Sequence, residues 1–191
     1  MIILSSYGFD SPIMAEKFKE YIPCPQDKTV LLIPLAGFNP LYGLAGRVAL
    51  MNFGFQKSNV FILDANNVEK ARNRSFDYIY VSSGDTFKLL SELQEINFLD
   101  DIVRMVNSGS TYIGASAGAI LTSSNIEYAK KLEDDNYDLS DYSGLGILYD
   151  CIVPHIDQCE ISTVIACKSV CYGRNLLGIR NDAIHIIEGV K

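Results

Sequence analysis

Four times along this chain a short apolar run stops at small or turn-forming residues and gives way to helical spacing. Thr29–Leu35 ends at Ala36-Gly37 ahead of a helix over Leu41–Phe53, and Asp77–Val81 ends at Ser82-Ser83-Gly84 ahead of a helix over Thr86–Ile96. Thr111-Tyr112-Ile113 ends at Gly114-Ala115-Ser116 ahead of Ala119-Ile120-Leu121, and Ile147–Val153 ends at Pro154-His155 ahead of a helix from about Glu160 to Tyr172. Strands that are apolar throughout are covered on both faces, and strands separated by helices pair in parallel through right-handed crossovers. The pattern predicts an α/β protein of three layers, α/β/α, around a mostly parallel sheet. Further strands are expected at the first residues, over Asn59–Leu63 and near Leu177 and Ile184, with a helix over Phe98–Asn107 closed by Ser108-Gly109. No repeat, low-complexity tract or linker divides the 191 residues, so one domain over 1–191 is expected.

In open parallel sheets the reactive groups collect beyond the carboxyl ends of the strands. Gly114-Ala115-Ser116-Ala117-Gly118 lies at such an end and has the pattern of a nucleophile elbow, a sharp strand-to-helix turn that exposes the serine Oγ. The flanking glycines suit it, because side chains two positions away would collide with the returning backbone. The following helix would aim its N-terminal amides at a developing oxyanion. The loop at Gly84-Asp85-Thr86 can aim a second backbone N–H at the same place, with Asp85 or Thr86 as helix cap. His155 ends the strand before the late helix and falls at the same edge.

Together, Gly84-Asp85-Thr86-Phe87-Lys88-Leu89-Leu90, then Gly114-Ala115-Ser116-Ala117-Gly118-Ala119, then Val153-Pro154-His155 resemble the peptidase E (aspartyl dipeptidase) family of serine peptidases, which is related to cyanophycinase. The order and spacing match from about Thr29 to Glu188. The resemblance implies a fold similar to class I glutamine amidotransferases and cleavage of small peptides by a Ser-His-acid triad without metal or organic cofactor. It implies Ser116 as nucleophile and His155 as base, with the amides of Gly84 and Ala117 as oxyanion hole and Asp85 beside it. His155 would take the Ser116 proton, Ser116 would attack the peptide carbonyl, and water would resolve the acyl-enzyme.

The family's acid follows a late Gly-aliphatic strand, here Leu177-Gly178-Ile179, and the residues that follow are Arg180-Asn181-Asp182. Asn181 stands nearest the acid's place and Asp182 one residue on. Either is a candidate, as is an acid among Glu133, Asp134 and Asp135. An asparagine can orient a histidine through its carbonyl oxygen but does not stabilise the imidazolium as a carboxylate does. Asp157 reads as a turn residue.

The acidic stretch Glu133–Asp141 reads either as a solvated loop or as an overhang whose charge favours a peptide's free amino terminus over acidic substrates. No arginine follows His155, and Arg174 and Arg180 are only distant candidates, so aspartyl specificity is not carried over. Pro34–Gly46 reads as a pocket border or as core, and His185 as structural. Five cysteines at irregular spacing suit reduced thiols, with Cys167 and Cys171 sharing a buried helix face. A net charge of −7 without a Lys/Arg stripe argues against nucleic acid, and no apolar run is long enough to span a bilayer. The expectation is a cytoplasmic enzyme acting on small peptides, with a homodimer left open. The alternatives are an esterase or amidase of small acyl compounds and a catalytically silent binding module.

Overall fold

The computed structural model describes residues 1–39 and 41–189. Its main sheet has six strands in the order β3-β2-β4-β5-β1-β8, comprising β1 (Ile2–Ser5), β2 (Val30–Ile33), β3 (Val60–Ile62), β4 (Tyr78–Val81), β5 (Thr111–Ala115) and β8 (Ile184–Ile187). The first five run parallel, and β8 closes the edge antiparallel to β1, with His185 opposite Leu4.

The apolar runs are continuous because both sheet faces are covered. Ile2, Leu4, Leu31, Ile33, Ile79, Val81 and Tyr112 point into one core, and the alternate residues Ile3, Val30, Leu32, Tyr78, Tyr80 and Ile113 into the other, as the two-residue period of a strand requires. The first core is closed by Phe87, Leu90 and Leu93 of α4 (Thr86–Glu95) and by Ile102 and Met105 of α5 (Leu99–Asn107). The second is closed by Met14 and Phe18 of α1 (Pro12–Phe18) and Leu50 of α2 (Tyr42–Phe53). A short α3 (Val68–Arg72) adds Ala71 to the first core.

Beyond α1 and α3, which the sequence expectation lacks, three features of the late chain depart from it. The run from Ile147 is a strand only at its end, β6 (Cys151–Val153), because Tyr149 is turned out to solvent. β6 pairs in parallel with β7 (Leu176–Gly178) as a separate two-stranded sheet, so the His155 strand is not in the main sheet. The late helix α7 spans only Ile161–Ser169. Cys167 and Cys171 are buried in the first core, and burial pushes the Cys167 thiol up to about 11.

Candidate active site

β5 delivers Ser116 to the carboxyl edge of the sheet. The Ser116 N–H donates to Ser5 O at 2.9 Å, and its backbone has φ 50° and ψ −109°, a conformation rarely adopted by a residue with a side chain. The glycines on either side are sterically required. A Cβ on Gly114 would lie 2.5 Å from Gly118 O, and one on Gly118 would lie 2.3 Å from Val81 O. The buried Tyr112 hydroxyl donates to Gly118 O at 2.6 Å and ties the turn back to its own strand. The helix after Ser116, α6 (Ala117–Ile120), is a single turn. Its dipole is correspondingly small, so any stabilisation of negative charge there comes from individual N–H groups.

His155 arrives from β6 in the left-handed region, φ 55° and ψ 31°. Its Nε2 lies 3.2 Å from Ser116 Oγ and its Nδ1 lies 2.6 Å from Asn181 Oδ1. Since the amide oxygen only accepts, Nδ1 carries the proton and Nε2 presents its lone pair to the serine. Two residues with no sequence motif complete this arrangement. Ser6, fully buried at the end of β1, accepts the His155 N–H at 2.9 Å and donates to Ile179 O at 3.0 Å. It thereby joins the main sheet to both the histidine and the chain leading to Asn181. Tyr7 packs edge-on to the imidazole, ring centroids 4.9 Å apart at 70°. Asp157 accepts the Asn181 N–H at 3.1 Å, so this turn residue supports the Asn181 loop.

Asp182 is not brought to the histidine. It pairs with Arg180 at 3.2 Å on the surface and its carbonyl takes Lys17 Nζ, because successive residues of the turn point to opposite sides. Asp134 is exposed, and Asp135 accepts the Tyr142 hydroxyl at 2.5 Å with Lys130 at 3.7 Å, so neither serves His155.

The Gly84 loop is held from below. Gly84 has φ 135°, a Cβ there would lie 2.5 Å from Ala36 O, and the Asp85 N–H donates to the same carbonyl at 3.1 Å. Tyr42 Oη donates to Ser83 O at 2.8 Å and Lys88 Nζ to Leu35 O at 2.9 Å. Asp85 is thus a structural residue. Its amide is used, and its carboxylate caps α4 by accepting the Lys88 N–H at 2.7 Å. Among the described residues no backbone or side-chain acceptor takes the N–H of Gly84 or Ala117. The Pro34–Gly46 segment does border a pocket, a cavity of about 730 Å³ against α2 and β3, but Ser116 and His155 do not line it.

A smaller cavity of about 360 Å³ contains Ser116, His155 and Gly84, together with Thr86, Glu133 and Glu160. No lysine or arginine is among its described lining residues. Glu133 is half-buried. Burial, helped by the Asp85 carboxylate, pushes its titration up, against hydrogen bonds from the Thr86 side chain and backbone. Arg174 is buried and donates to Cys171 O and Asn125 O, and Arg180 pairs with Asp182, so neither reaches the cavity.

A mostly parallel α/β sheet that ends in a strained serine turn with a histidine facing the serine is the arrangement of a serine hydrolase. The sequence profile of peptidase family S51 matches residues 1–190, and the chain belongs to that family. An uncharacterized peptidase of Listeria innocua is 32% identical over 152 residues, 74% of this chain and 70% of that protein. A protein named peptidase E from Haemophilus influenzae is 29% identical over 66% of this chain and 60% of its own length. The solved structure of a candidate peptidase E from Listeria monocytogenes superposes with a TM-score of 0.78 at 28% identity, covering 100% of this chain and 95% of that one. Among the described residues no helix is long and apolar enough to cross a membrane.

Proposed function

We propose that the chain hydrolyses small peptides through an acyl-enzyme on Ser116, with His155 as base, Asn181 as its orienter, and the Gly84 and Ala117 amides as oxyanion hole. The observation that carries the reading is the relay of contacts from Asn181 Oδ1 through the imidazole to Ser116 Oγ, at 2.6 and 3.2 Å. His155 removes the Oγ proton as the serine attacks the carbonyl carbon. The carbonyl oxygen gains charge between the two amides, and His155 returns the proton to the leaving amine. Water then attacks the ester by the same route in reverse. Asn181 keeps the required tautomer but offers no full charge to the imidazolium.

Replacing Asn181 tests this assignment. Asn181→Asp is expected to raise kcat by at least about tenfold, within the roughly 10⁴-fold range that an acid-to-amide exchange spans in a serine triad, while Asp182→Asn changes kcat less than about twofold. The reverse pattern would make Asp182 the orienter. No effect of either, in steady-state kinetics on a small peptide, would remove both.

The cavity's carboxylates suggest which peptides enter. Glu133 and Glu160, with no cation among the described lining residues, favour a free amino terminus and disfavour an acidic side chain beside the scissile bond. Peptides with a free α-amino group are expected to be cleaved with about 10- to 100-fold higher kcat/KM than N-acetylated ones, and Glu133→Gln is expected to erase most of that ratio. Because the Glu133 titration is raised by burial, its charge is lost on acidification earlier than that of an exposed glutamate. The preference should therefore fade as the pH falls through that range and be complete above it. A kcat/KM ratio that is independent of both Glu133 and pH would overturn this reading.

A further inference from the structure

We infer that the outer face of α2 is the contact surface of a two-fold homodimer. The helix Tyr42–Phe53 is apolar on opposite sides. Gly43 and Leu50 face the sheet and are buried, while Leu41, Leu44, Val48 and Met51 point outward, exposed by 62, 45, 54 and 39%. Those four positions repeat at three- and four-residue intervals, the spacing of a helix–helix seam, and Ala45 widens the strip. A helix that is apolar all round is normally buried all round.

The area suits a second copy. Phe38, 73% exposed, lines the same cavity as Leu44 and extends the strip beyond the helix start. At about 200 Å² for a large side chain, the five residues offer roughly 500 Å² per protomer. A two-fold contact would bury about 1,000 Å², the lower bound of a specific interface. Charge points the same way. The chain carries a net charge of −7, which opposes self-association over most of its surface, yet α2 holds no acid. Its one cation, Arg47, lines the same cavity as Phe38, Leu44 and Asp64 and stands at the edge of the strip. A surface whose apolar residues repeat in this way is complementary to itself, as an isologous interface must be. The other exposed apolar pair on a helix, Ile161 and Ile165, lies on the far side of α7 from Thr163, which lines the catalytic cavity, and two residues alone offer too little area for a stable contact.

Sedimentation equilibrium of the full chain tests the proposal. At roughly 100 µM the wild type is expected at twice the 21.2 kDa chain mass, dissociating on dilution. The double variant Leu44→Glu/Val48→Glu is expected to stay monomeric with unchanged circular dichroism, whereas Ile161→Glu/Ile165→Glu still dimerises. Hydrogen exchange supplies a readout free of substitutions: the wild-type segment 41–52 should gain protection as concentration rises. A wild type that remains at 21.2 kDa, or a dimer that persists in the α2 variant, would overturn the inference.

Discussion

Ser116→Ala is expected to reduce peptide hydrolysis by at least about 10³-fold, and toward 10⁶-fold if the serine and histidine act as one unit. The variant removes a single oxygen whose side-chain partner is His155 at 3.2 Å. The turn itself is held by Ser5 O, by the Tyr112 hydroxyl and by the close approach of Gly118 to Val81, none of which involves Oγ. The fold should therefore persist, with a thermal midpoint near that of the wild type, and lost activity reports chemistry. Equal turnover by wild type and variant in a purified preparation would remove Ser116 from the mechanism.

His155→Ala carries the second large effect, a loss of roughly 10³-fold or more in kcat. Without Nε2, nothing within hydrogen-bond reach accepts the serine proton, since Ser116 Oγ has no carboxylate or lysine partner among the described residues. Only a ring nitrogen with a free lone pair can accept from Oγ, so the loss should appear in kcat with chemistry limiting. A His155→Ala kcat equal to that of the wild type with chemistry limiting would contradict the role. The left-handed backbone at His155 adds strain that alanine shares, so His155→Gln is the companion variant that keeps bulk beside Tyr7.

The parts of this site that a reader of the sequence can find are those whose geometry demands particular residue types. Ser116 stands out because the elbow needs glycine at 114 and 118, and Gly84 because its positive φ and contact with Ala36 O exclude a Cβ. The central strands stand out because both of their faces are buried. The choice between Asn181 and Asp182 was not legible, since adjacent residues in a turn differ only in which one points inward. Ser6 and Tyr7 carry no motif at all. They meet His155 across 149 and 148 positions of sequence, through the closure of β1 against the β6–β7 pair. The same closure hides the fact that β6 leaves the main sheet, which local periodicity cannot show. α1 shows little periodicity because its seven residues bury only Met14 and Phe18, although Ser11 as cap and Pro12 at the first position are recognisable helix signals.

The most direct measurement for the account is mass spectrometry after reaction with a fluorophosphonate, which forms a Ser Oγ–phosphorus bond and releases fluoride only when the serine is activated by a base. The adduct is predicted on the peptide containing Ser116, at a rate that falls by orders of magnitude in His155→Ala. A chain left unlabelled under conditions in which it hydrolyses peptides, or labelled on a residue other than Ser116, would contradict it.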